Sequence, residues 1–96
     1  MHYLVRVTIH DGSYAEYQGL HKQMQAFGFS RYIRNDQGIF SVLPDATYIG
    51  ERNENGDVVR DHVARIAKGC APSKAAPEVF VCVRGASWWS GLRQAT

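Results

Sequence analysis

The run Tyr3-Leu4-Val5-Arg6-Val7-Thr8-Ile9-His10 decides how the chain folds. Successive side chains in a strand point to opposite faces. Tyr3, Val5, Val7 and Ile9 therefore form one apolar row. Leu4, Arg6, Thr8 and His10 form a mixed row on the other side. A strand with one apolar and one decorated face belongs to a sheet covered by helices on one side. What meets the decorated side is the functional question.

Working outward, Asp11-Gly12 is a turn, and Ser13 caps a helix. Glu16, three residues on, completes a capping box with it. Tyr14, Tyr17, Leu20, Met24 and Phe27 fall on one stripe at spacings of three and four, which predicts a helix over 14–27 stopped by Gly28. His21 takes an outward position on that helix. Residues 29–34 read as a second strand. Asn35-Asp36-Gln37-Gly38 is a turn, and 39–43 a third strand paired with the second. Pro44 ends or bends it, and Thr47-Tyr48-Ile49 resumes it after a bulge. Residues 51–56 are polar and aperiodic, which predicts an exposed, mobile loop. Asp57 caps a second helix with Val59, Val63 and Ile66 as its apolar row and Gly69 as its stop. A linker, 71–77, leads to a fourth strand, 78–84. There Val79, Val81 and Val83 face one way and Phe80, Cys82 and Arg84 the other. The tail 85–96 carries Trp88 and Trp89.

The order is β-α-β-β-α-β. Right-handed crossovers place both helices on one side of a four-stranded antiparallel sheet. The fold class expected is α+β, ferredoxin-like, as one domain over 1–96 with a C-terminal tail. The opposite sheet face, with Arg6, Phe80, Arg84 and the two tryptophans at its margin, is expected to meet a partner, and a homodimer is the expected assembly.

Composition narrows function further. The chain has 96 residues, 45% of them hydrophobic, and a formal net charge of +2. That supports one ordinary core and excludes a disordered or strongly basic nucleic-acid-binding chain. Eight of the eleven cations are Arg, whose planar fork suits phosphate and aromatic faces. Cys70 and Cys82 form no metal pattern and read as reduced and structural in a cytoplasmic protein. No signal-peptide pattern or spanning segment is expected, hence no membrane partner. Nucleotide-binding loops, paired-carboxylate and Ser-His-Asp patterns are absent from the sequence. The four His show no HxH or HxxxH spacing, so no metal site and no resident cofactor are predicted.

The candidate chemistry lies in three places. His10-Asp11, at the end of the first strand, offers a proton-transfer group beside a carboxylate. The bland alternative is a turn with a half-exposed His. Arg31-Tyr32-Ile33-Arg34 is a basic-aromatic-basic cluster that suits phosphate and a stacked base. Equally, it is an edge strand guarded by charge. His21 is a further candidate RNA contact on the first helix.

The stretches 3–33 and 38–49, the short polar helix and Glu78–Gly85 resemble the GhoS family of small Cas2-like antitoxin endoribonucleases. The likeness covers most of residues 2–84. It rests on element order, the aromatic stripe of the first helix, Gly28-Phe29 and Leu43-Pro44. The resemblance implies a ferredoxin-like dimer that cleaves a toxin's messenger RNA. Metal-dependent Cas2-like proteins carry an Asp at the end of the first strand. Asp11 is the nearest equivalent, displaced into the turn after His10. Asp11 from two protomers would then hold Mg²⁺. Without metal, His10 or His21 serves as base and acid, and Arg31 or Arg34 as the cation at phosphorus. The competing reading is a non-enzymatic accessory protein of a phage or mobile element. Such a protein would bind another protein as a stoichiometric inhibitor, of which an anti-CRISPR is one example. A small-molecule-binding domain is a third, weakened by the lack of a Gly-rich loop.

Overall fold

A computed structural model describes residues 1–95. The elements are β1 (His2–Thr8), α1 (Tyr14–Ala26), β2 (Phe29–Ser30), β3 (Tyr32–Arg34), β4 (Phe40–Val42), β5 (Thr47–Glu51), α2 (Gly56–Cys70) and β6 (Glu78–Val83). Four strands form an antiparallel sheet in the order β2-β5-β1-β6, and β3 and β4 form a separate two-stranded ribbon. This is a small α+β fold, compatible with a ferredoxin-like arrangement.

The first strand organises it as its pattern requires. Tyr3, Val5, Val7 and Ile9 are all buried, while Arg6 and His10 are exposed. Leu20 and Met24 of α1 and Val59, Val63 and Ala67 of α2 join that row in one core, together with Phe29 and Tyr48. Each such side chain withdrawn from water contributes about 1.5–3 kcal/mol. The capping box is present: Glu16 N–H donates to Ser13 Oγ, and Ser13 N–H donates to Glu16 Oε1. Tyr14, read as part of the apolar stripe, is instead 81% exposed, because the first turn of α1 overhangs the core.

The third sheet strand differs from the sequence reading. Residues 40–42 do form a strand, but outside the main sheet. Pro44 carries no N–H, and its carbonyl accepts from Thr47 N–H at 3.0 Å. Ala46 takes the left-handed conformation, φ 54. The chain is thereby redirected, and 47–51 takes the central place beside β1, with Val5 opposite Tyr48. The β3–β4 ribbon turns through Asn35, whose Oδ1 accepts from Gln37 N–H and Ile39 N–H. The tail does not hang free. Val42 N–H donates to Arg93 O and Ala95 N–H to Phe40 O, so residues 93–95 flank β4.

Two other expectations change. The 51–56 segment is pinned, chiefly through Arg52 and Glu54. Arg52 binds Glu54 through two N–H groups at 3.1 and 2.6 Å and donates to Phe27 O at 3.0 Å. Its guanidinium lies 4.2 Å from the centre of the Phe27 ring, and His62 stacks on that ring at 3.8 Å. Tyr3 Oη donates to Glu54 O at 2.7 Å. In α2 the N-cap is Asn55, which places Asp57 in the first turn, where its charge still suits the helix dipole. Gly69 lies inside the helix, whose cap is Ala71.

Candidate functional site

Helix α1 crosses the sheet so that Tyr17 and His21, one turn apart, stand over the central strands. Tyr17 spends its hydroxyl on the end of β1: it accepts from Ile9 N–H at 2.9 Å and donates to Ile9 O at 3.2 Å. His21 meets Tyr48, a fully buried residue near the start of β5. Its Nδ1 lies 2.6 Å from Tyr48 Oη. Burial raises the Tyr48 pKa well above the ordinary phenol value, so the hydroxyl keeps its proton. That proton has no other acceptor among the described residues. The 2.6 Å contact nonetheless fits two tautomers: Tyr48 donating to Nδ1 with the imidazole hydrogen on Nε2, or Nδ1–H donating to Tyr48 Oη.

Burial, then repulsion from Arg31, lowers the His21 pKa below its ordinary 6.5, with Asp45 acting weakly the other way. His21 is therefore neutral at pH 7. The unfolded chain takes up this proton more readily than the folded chain. The stability held by neutral His21 is present above about pH 6.5 and is lost as pH falls toward the lower folded value. Thermal unfolding at pH 7 and pH 5 is expected to show a smaller acid loss in His21→Gln than in the native chain. Equal losses would contradict it.

A cavity of about 570 Å³ opens beside His21, bounded by Lys22, Gly28, Ser30, Arg31 and Tyr32. Gly28, at φ 96, turns the chain from α1 into β2 and so brings the Arg31–Tyr32 segment back against the helix. His21, Lys22 and Arg31 thus line one concavity, with a half-exposed aromatic ring at its rim. Such a set can hold a phosphate and rest a base beside it.

The structure brings His21, Arg31 and Tyr32 together and leaves His10 and Asp11 elsewhere. His10 is exposed, with Nε2 3.7 Å from Glu78 Oε2. Asp11 lies in a left-handed turn, φ 55, where its backbone carbonyl accepts from Lys74 Nζ at 2.9 Å. Neither lines the cavity around Arg31. Among the described residues no three His, Cys, Asp or Glu side chains converge. One carboxylate per chain does not make a Mg²⁺ site, so Asp11 would need a second protomer. Arg34 projects from the ribbon into a different concavity with Arg84, Trp88 and Trp89. Arg6 and Phe80 are exposed on the open sheet face, where they lie opposite each other.

His21, read as outward, is half-buried and hydrogen-bonded. Tyr48, Lys22 and Asp45 escaped the sequence reading. The signal for Tyr48 was available, since a tyrosine on a buried row must find a partner for its hydroxyl. Among the described residues no helix is long and apolar enough to cross a membrane. No family model, curated protein or solved structure matches this chain.

Proposed function

We propose that this chain is a cytoplasmic RNA-binding protein that cleaves RNA, a Cas2-like antitoxin endoribonuclease of the GhoS type acting on a toxin's messenger RNA. The strand order supports the fold half of this reading. With the β3–β4 ribbon taken as an insertion, the order β1-α1-β2-β5-α2-β6 is compatible with a ferredoxin-like βαββαβ.

The observation that carries the chemical half is the neutral His21, braced by Tyr48, beside Arg31 and Lys22. Two tautomers satisfy the 2.6 Å contact. With Tyr48 donating, Nε2–H is offered to a phosphoryl oxygen. With Nδ1–H donating to Tyr48 Oη, the Nε2 lone pair is free to take the 2′-hydroxyl proton. The 2′-oxygen then bonds to phosphorus, and the bond from phosphorus to the 5′-oxygen breaks. His21 returns the proton to the leaving oxygen. Arg31 and Lys22 offset the charge that builds on the phosphorane. The products are a 2′,3′-cyclic phosphate and a 5′-hydroxyl.

The exposed Phe80 and Val83 on edge strand β6 suit a second protomer. They equally suit a foreign protein, which is the non-enzymatic alternative. Incubation of the purified chain with single-stranded RNA, with and without chelator, separates the two. Cleavage to cyclic-phosphate ends in both conditions is expected. A chain that neither binds nor cuts RNA would sink the nuclease reading.

A further inference from the structure

Beyond Tyr32 lies a second cavity of about 750 Å³, between the β3–β4 ribbon, the end of β5 and the segment after β6. Tyr32, Phe40, Trp88 and Trp89 supply its rings, and Arg34 and Arg84 its cations. Trp88 is 88% exposed. None of these four rings stacks on another aromatic ring among the described residues. Aromatic surface left open at the edge of a concavity marks a place where a ligand sits.

Arg84 adds a second, independent observation. Its Nη1 donates to Ser87 Oγ at 3.2 Å, while its Nε is buried with no acceptor. A buried N–H without a partner is costly and calls for an explanation. The lining also includes Asp36 and Glu51, the latter 3.7 Å from His2. The cavity is thus nearly balanced in charge. That disfavours a chain of phosphates as its content. It favours a flat, neutral group with acceptor atoms on its edge.

We infer that this cavity is a nucleobase subsite for single-stranded RNA. A base stacks on Trp88, and its carbonyl or ring-nitrogen acceptors face the Arg84 guanidinium. Tyr32 lines both cavities, so a strand seated here leads its adjoining phosphate toward Lys22, Arg31 and His21. The ligand class rests on the RNA reading of the His21 site. The two stand or fall by different measurements.

The probe is a fluorescein-labelled 2′-O-methyl hexanucleotide of mixed sequence, which lacks the 2′-hydroxyl needed for cleavage. Its anisotropy and the quenching of tryptophan emission report binding. The native chain is expected to bind it with quenching, and Trp88→Ala to lose about tenfold in affinity. Arg84→Gln is expected to lose a similar factor. Trp88 is so exposed that its removal leaves the core intact, which keeps the test clear of unfolding. Binding lost in Trp88→Ala supports the subsite even if the native chain cuts no RNA. Native affinity in both variants, or no binding by the native chain, overturns it even if RNA is cut.

Discussion

Replacing His21 with alanine is expected to slow RNA cleavage by about 10²–10⁴-fold, the usual range for removing a general acid–base group. The residue does two jobs in the proposed step, taking the proton and giving it back. Single-turnover rates at saturating protein are the proper measure, because weaker binding then drops out. His10→Ala and Asp11→Asn are expected to keep the native rate. His10 faces Glu78, and Asp11 is engaged through its backbone by Lys74. A rate that survives His21→Ala but collapses in His10→Ala would move the site to the end of β1. Arg31→Gln should also slow the reaction. It should raise the His21 pKa as well, because Arg31 is one of the groups that hold it down.

The largest effect on stability is expected at Leu20. Its side chain is fully buried in the core that α1 shares with β1 and α2. Leu20→Ala should cost about 2–5 kcal/mol, the lost transfer free energy plus the cavity left behind. A domain of this size has only about 5–15 kcal/mol in total. Urea unfolding followed by circular dichroism measures the change. Tyr14→Ala, on the same helix but 81% exposed, should stay within about 0.5 kcal/mol of native. Similar losses at both positions would mean that α1 is docked otherwise.

The elements with a local cause were legible in the sequence. The Tyr3-Val5-Val7-Ile9 row is a property of alternation alone, and all four residues are buried. Ser13 and Glu16 are three apart and need nothing else to cap α1. What escaped was decided at a distance. Residues 39–43 have strand chemistry, and 40–42 do form a strand. Only the turn at Pro44–Ala46 excludes them from the sheet in favour of 47–51. The 51–56 loop is polar by composition and fixed in fact, because Phe27, 25 residues before Arg52, receives its guanidinium. The site followed the same rule. Arg31 and Tyr32 were marked by their adjacency. The partner of His21 lies 27 residues away on another element, where no spacing announces it.

The sheet order also has a kinetic consequence. β1 is flanked by β5 and β6, and its pairing with β6 sets Tyr3 opposite Val83. Of the strands described, the earliest in the chain is therefore completed by the latest. Closing so long a loop costs entropy before any ladder bond is gained. Pairings of this span make for slow folding. While the chain is being translated, the α1 turn and the β3–β4 ribbon can form from local contacts. The Tyr3-Val5-Val7-Ile9 row must wait for residue 83. Until then this strand stands with one edge unpaired, and its safe passage depends on how soon β6 arrives.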